Sequence, residues 1–298
     1  MTRTLPFLLL LAAGYLLRRL PGVPRDTGRS LNLYVIYVAL PALVLIQVPR
    51  LEFSEALAVP VLMPWLVVLF SGTMVALCCR VFRWSREITG ALLLMVPLGN
   101  TAFLGIPMVE TFFGLEGVKY AILYDQFGSF LALSTYGTFL LAVYGGGERP
   151  GFLSLVRRIV LFPPFIALLL GLGLRTLSYP PWLQSLLSLT AGSLVPVVMV
   201  AIGFQLHLRL EPAERLPLLF GLFFRLVAAP LVFLGLCRVA GLEGEPVQVA
   251  LFETAMPPMV AAAALASIAG LKPRLTSALV GYGILASFAT LPLFFQLL

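Results

Sequence analysis

The chain has 298 residues, of which 60% are hydrophobic and 11% charged, with a mean hydropathy of +1.02. Ordinary soluble domains carry roughly 25% charged residues, and a water-soluble fold of this size could not hide so much apolar surface, so composition excludes one and indicates an all-α polytopic membrane protein. The net charge of +7 does not indicate a nucleic-acid partner, because the basic residues fall in short clusters between apolar runs, which is the pattern of membrane topology.

Ten apolar runs are predicted to span the bilayer, at about residues 4–17, 31–48, 56–79, 88–113, 118–144, 159–176, 183–206, 216–239, 246–270 and 275–297. The first resembles a signal-peptide core. Its charges, Arg18 and Arg19, follow the run where a signal peptide carries them before it, so it is expected to stay as a span. The second run contains "ALPALVLIQ" (39–47), and the third ends in Cys78 and Cys79. These two and Cys237 lack metal-ligand spacing and sit in apolar runs, so no metal or cofactor is expected.

The fourth run is interrupted by "MVPLGNTAFLGIP" (95–107). Pro97 and Gly99 predict a first half-helix ending near Val96 and a second beginning at Asn100 or Thr101, with either side chain available as a cap. The N–H groups freed at that second start, and the positive dipole end behind them, suit an anion. The fifth run carries Asp125, with Ser129 four residues on and Tyr136 seven beyond that, successive helical offsets that place them on one face.

"YGGGERPG" (144–151) then divides the chain, with five runs on each side. An odd number of spans per half forces any internal repeat to be inverted. The organisation expected is a first five-helix repeat at 1–144, a short cytoplasmic linker at 145–158 and a second, inverted repeat at 159–298. The seventh run contains "SLVPVVMVAIGFQ" (193–205), beside the second run's proline, and ends at His207, expected at the interface. The eighth holds Arg225. In the ninth, "ETAMPP" (253–258) breaks the helix after Met256, at Pro257 and Pro258, matching the break in the fourth. Paired interruptions in corresponding spans point to a transporter site where the broken fourth and ninth helices cross.

Fourteen Lys and Arg residues fall in the loops after odd-numbered runs and five on the opposite side, which predicts cytoplasmic odd loops and both termini outside. Counted at 1.5 Å per residue, Asp125 and Glu253 lie about 10 Å below the outer surface, and Arg225 about 13 Å from the cytoplasmic one. Ionisable groups at such depth need a reason. Two carboxylates and an arginine suit a structural ion-pair network including Arg225, or a proton or cation site at Asp125, Glu253 and Ser129; the sequence leaves both open. Glu110 reaches the interface and is given no role.

"GNTAFLGIPMVE" followed by "AILYDQFGSF", then "ETAMPP" and "SFATLPL" near the end, resembles the auxin efflux carrier family over essentially the whole chain. The resemblance implies ten helices in two inverted five-helix repeats, a fold related to the bile-acid sodium symporters, a scaffold from helices 1, 2, 6 and 7, a transport domain from helices 3–5 and 8–10, and a homodimer in the plasma (inner) membrane. It also implies an organic-anion cargo, auxin-like or a mono- or dicarboxylate. Two departures stand out: the long cytosolic loop of many plant members is absent, and "PMVAAAALA" (258–266) is apolar where many relatives place a polar residue.

The function expected is therefore a secondary transporter of a small organic anion, with H+ or Na+ as coupling candidates and membrane lipid as its surroundings. The substrate residues expected are Asn100, Thr101, Gly99, Pro97, Met256 and Pro257. The alternatives are an intramembrane enzyme, for which the sequence shows no paired-Asp motif, HExxH or Ser–His arrangement, and an anion sensor or channel. No nucleotide-binding loop supports ATP-driven transport.

Overall fold

A computed structural model of the chain describes residues 5–51, 55–145, 151–174, 179–206 and 211–298. Among them every regular element is a helix, as lipid requires of a chain that must satisfy its own backbone within each segment. The helices are α1 (Leu5–Leu17), α2 (Thr27–Arg50), α3 (Ala58–Val81), α4 (Arg86–Met95), α5 (Thr101–Phe113), α6 (Leu115–Tyr144), α7 (Phe152–Val160), α8 (Pro163–Gly173), α9 (Pro181–Gln205), α10 (Pro212–Val239), α11 (Glu245–Thr254), α12 (Val260–Ile268) and α13 (Pro273–Phe295). Six of these, α2, α3, α6, α9, α10 and α13, are long and apolar enough to cross a membrane, and α1, α5 and α8 are shorter apolar helices. The chain is a polytopic membrane protein.

Local chemistry sets the ends. The Ser85 hydroxyl accepts from the Ile88 N–H (3.3 Å) to cap α4, with Glu87 in its first turn. Gly114, at φ 78°, supplies the left-handed residue that turns α5 sharply into α6. The sixth apolar run departs from expectation. Helix α7 occupies much of the expected linker, and the next span starts only at Pro163, because Pro163-Pro164 can open a helix but holds Phe162 extended (ψ 119°). His207 and residues 146–150 of the linker lie outside the described residues.

The two broken segments meet at their breaks. Leu98–Asn100 and Pro257–Met259 run antiparallel, with Gly99 opposite Pro258. The Asn100 N–H donates to the Pro257 carbonyl (2.8 Å) and the Met259 N–H to the Leu98 carbonyl (3.0 Å). Prolines interrupt both helices by withholding N–H donors, and the backbone groups left over satisfy each other across the contact.

This contact also divides the core. One buried cluster takes in Phe103–Val109 of α5 and Val247–Met256 from α11 onward; the other takes in Ala91–Leu98 and Met259–Ala266. Each side is thus packed by one half-helix from each broken segment. A ring cluster of Phe112, Phe113, Phe252 and Phe295, with centroids 5.0–6.1 Å apart, ties α5, α11 and α13 together on the first side.

Helices α1, α2, α8 and α9 pack on one another: α1 lies along Leu194–Gln205 of α9, and α8 along the second half of α2. The α1–α9 contact is made backbone to backbone. A Cβ on Gly14 would overlap the Val200 carbonyl, and one on Gly203 would overlap the Leu11 carbonyl. Close approach through small residues is how helices associate where no hydrophobic effect drives them together.

Candidate functional site

Five stretches of π-helical geometry interrupt the described helices, and four of them carry the ionisable or polar residues singled out above: Thr101–Gly105, Tyr124–Phe130 with Asp125 and Ser129, Leu133–Gly137 with Tyr136, and Phe224–Ala228 with Arg225. Each π turn inserts a residue and re-aims the side chains after it, and such turns concentrate at functional sites.

Arg225 is fully buried at the crossing. Its Nε donates to the Met256 carbonyl (2.7 Å), and its Nη1 to the carbonyls of Pro97 (3.1 Å) and Val96 (3.5 Å). The ion pair expected for it is not among those of the described residues; it meets the carbonyl ends of α4 and α11 instead. A helix C-terminus carries about −0.5 charge, so two of them together balance one guanidinium. Gly99 makes room for this arrangement, since a Cβ there would overlap Nη2 of Arg225.

Four of the residues expected to touch substrate are therefore engaged in holding the crossing: Pro97 and Met256 through carbonyls to Arg225, Pro257 through its carbonyl to Asn100, and Gly99 through its bare Cα. Thr101 is engaged too, donating from Oγ1 to Asp125 Oδ1 (2.6 Å), while Gln126 Nε2 donates to Oδ2 (2.7 Å). Neither Asn100 nor Thr101 caps α5 through its side chain, contrary to expectation. The Asn100 carbonyl does the local work, accepting from Gly105 (2.9 Å) and Leu104 (3.3 Å), because a π turn closes over a longer ring.

That leaves the Asn100 amide. It is 2% exposed, and its Nδ2 has no hydrogen-bond partner. Asn100 lines a cavity of about 140 Å³ together with Asp125, Ala102, Phe103, Phe130, Leu133, Met259 and Ala261, closed on its far side by Ile36 and Leu40 of α2 and by Phe162. The cavity walls thus come from the crossing and α6 on one side and from α2 and Phe162, the residue before α8, on the other. The aromatic and Met lining was not anticipated from the sequence; Phe103, one turn from Asn100, was the single available signal.

Glu253 lies deeper. It is fully buried, neither carboxylate oxygen has a hydrogen-bond partner, and its carboxyl packs against Gly105, where a Cβ would overlap both oxygens. Its neighbour Thr254 shares a hydrogen bond with the Tyr124 hydroxyl (3.2 Å). Ser129 is buried in the same π-helical stretch as Asp125 but does not line the cavity. Tyr136, expected on the Asp125 face, points elsewhere and donates to the Leu93 carbonyl (2.8 Å). A second cavity of about 270 Å³ is lined by Leu43, Gln47 and Arg50 of α2, Glu110 of α5, and Ser188 and Val195 of α9.

A family model described as membrane transport protein matches residues 1–295. An uncharacterized transporter of Methanothermobacter thermautotrophicus is 31% identical over 296 residues, 97% of this chain and 95% of its own. An uncharacterized transporter of Methanocaldococcus jannaschii is 28% identical over 263 residues, covering 84% of this chain and 83% of its own. A provisionally named malonate transporter of Rhizobium meliloti is 26% identical over 221 residues, 72% of this chain and 68% of its own.

Proposed function

The chain belongs to the membrane transport protein family, that of the auxin efflux carriers its motifs resemble, and we propose that it is a secondary carrier moving a small organic anion by alternating access at the crossing. The observation that carries this reading is the Asn100 amide, a buried donor without a partner that lines the cavity. A buried donor left unmade costs about 1–3 kcal/mol, which a bound acceptor would return. The starts of α5 and α12 both face this region through Ala102, Phe103 and Ala261. Each helix N-terminus is worth about +0.5 charge, so together they suit one negative charge. Three phenylalanines, a methionine, the Asp125 carboxylate (held by Thr101 and Gln126) and no Lys or Arg in the lining favour a monocarboxylate with an apolar body over a dianion.

Ten crossings are proposed: α1, α2, α3, the α4–α5 pair, α6, α8, α9, α10, the α11–α12 pair and α13, in two inverted halves. The mutually packed α1, α2, α8 and α9 would be the scaffold and the remainder the transport domain, within a homodimer in the plasma (inner) membrane with both termini outside. Glu253 is proposed as the coupling residue. An ionised carboxylate this deep with no hydrogen bond carries a large desolvation penalty, which a bound proton or cation such as Na+ removes.

The test is counterflow in proteoliposomes preloaded with one unlabelled carboxylate. Exchange of an arylacetate or other apolar monocarboxylate, faster than malonate and saturable, is the expected result. Conduction without saturation would indicate a channel, and chemical turnover without translocation an enzyme.

A further inference from the structure

Sharing no residue with the cavity at the crossing, a groove of about 550 Å³ opens between α3, α4 and α6. It exists because α3 presents Gly72, Thr73 and Ala76 where a large side chain would fill it, and because the Tyr136 hydroxyl, which a Cβ on Gly72 would crowd, is drawn down to the Leu93 carbonyl (2.8 Å). The Thr73 hydroxyl is likewise turned onto its own helix, at the Leu69 carbonyl (2.7 Å). With both hydroxyls satisfied internally, the walls suit hydrocarbon.

One end of the groove is different. Arg80 lines it there, and among the described residues its guanidinium has neither an ion pair nor a hydrogen bond. Of the nearby charged residues, Arg86 donates to the Val143 carbonyl and lies over the Tyr144 ring (5.8 Å), and Glu87 pairs with Lys272 (3.7 Å), while Arg83 is exposed in the turn after α3 and does not line the groove. From Arg80 to Leu69 is about 16 Å along α3, close to one leaflet, half of a hydrocarbon core ~30 Å thick.

We propose that this groove holds an acyl chain of an anionic phospholipid whose phosphate is bound by Arg80. The match is one of charge and length together: an unpaired cation at the depth of the headgroups, and below it an apolar trough as long as a leaflet is deep. Ordinary boundary lipid needs neither feature.

The test incubates purified protein with phosphatidylglycerol or phosphatidylcholine of identical chains and counts lipids retained in native mass spectra. One phosphatidylglycerol per chain is expected, retained about fivefold over phosphatidylcholine, the factor one basic residue carries at an anionic membrane surface. Arg80→Gln, on an exposed side chain, should remove that preference. Ala76→Trp, which fills the trough, should lower retention of both lipids. Equal retention of the two lipids by the unaltered protein, or an Arg80→Gln variant that keeps the preference, overturns the proposal. So does a disulfide dimer formed through Leu69→Cys, which would give the groove to a second copy of the chain.

Discussion

Replacing Arg225 with methionine keeps the volume and removes the guanidinium from between the two broken segments. Three N–H···O contacts are lost, at 2.7, 3.1 and 3.5 Å. The longest lies at the geometric limit and counts for little. Two good bonds from a charged donor are worth about 1.5–3 kcal/mol each, so the crossing should loosen by about 3–6 kcal/mol. The insertion penalty of ~2.5–3.5 kcal/mol for arginine does not offset this, because a loosened but inserted chain carries it too. The expected readout is local. The Asn100 and Met259 amides, which donate across the contact, should exchange with deuterium about 10²- to 10⁴-fold faster, at 1.4 kcal/mol per decade. Arg225→Lys keeps the charge but not the fork, and should fall between. Exchange at both amides within tenfold of wild type in Arg225→Met would refute the claim that the arginine pins the crossing.

Asn100→Ala should fold normally, because the bonds at this position that hold the crossing are made by backbone. It should bind a transported anion about 10- to 150-fold more weakly in isothermal titration, and unchanged affinity would make the amide a bystander. Glu253→Gln should keep substrate binding but lose its dependence on pH or Na+ in flux assays; a variant with wild-type ion dependence at full expression would return Glu253 to a structural role. In a variant lacking its native cysteines, a cysteine at position 298 should react with an impermeant maleimide outside intact cells and one at Gly151 should not. The reverse labelling pattern would invert the topology drawn from the Lys/Arg bias.

The breaks were legible in the sequence because a missing proline N–H is a property of one residue, and its effect on a helix is local. The partner of Arg225 was not legible. Carbonyls carry no sequence signature, so an arginine in a span invites a search for carboxylates such as Asp125 and Glu253, and that search says nothing of the Met256 and Pro97 carbonyls it meets. The cavity wall was hidden for a different reason. Phe103, Phe130, Phe162 and Met259 come from separate stretches of chain, and no periodicity within one helix relates them. Tyr136 shows the third obstacle. A 3.6-residue period puts it on the Asp125 face, but the π-helical Tyr124–Phe130 and Leu133–Gly137 intervene and turn it away to Leu93. A hydrophobic-period argument assumes constant pitch, and it failed where the pitch changed.

The seam between α1 and α9 has a mechanical consequence. Where two helices meet through interlocking side chains, rotamer changes give the joint compliance, and one rod can slip past the other by small steps. Gly14 against Val200 and Gly203 against Leu11 leave no side chain in the gap to supply that give. Displacing one rod along the other would drive a carbonyl into a Cα within a fraction of an ångström. At these two points the pair is expected to resist sliding, as a stiff beam would. On the carrier reading proposed above, a stroke across the bilayer would be accommodated at softer joints, such as the side-chain-lined cavity at Ile36, Leu40 and Phe162.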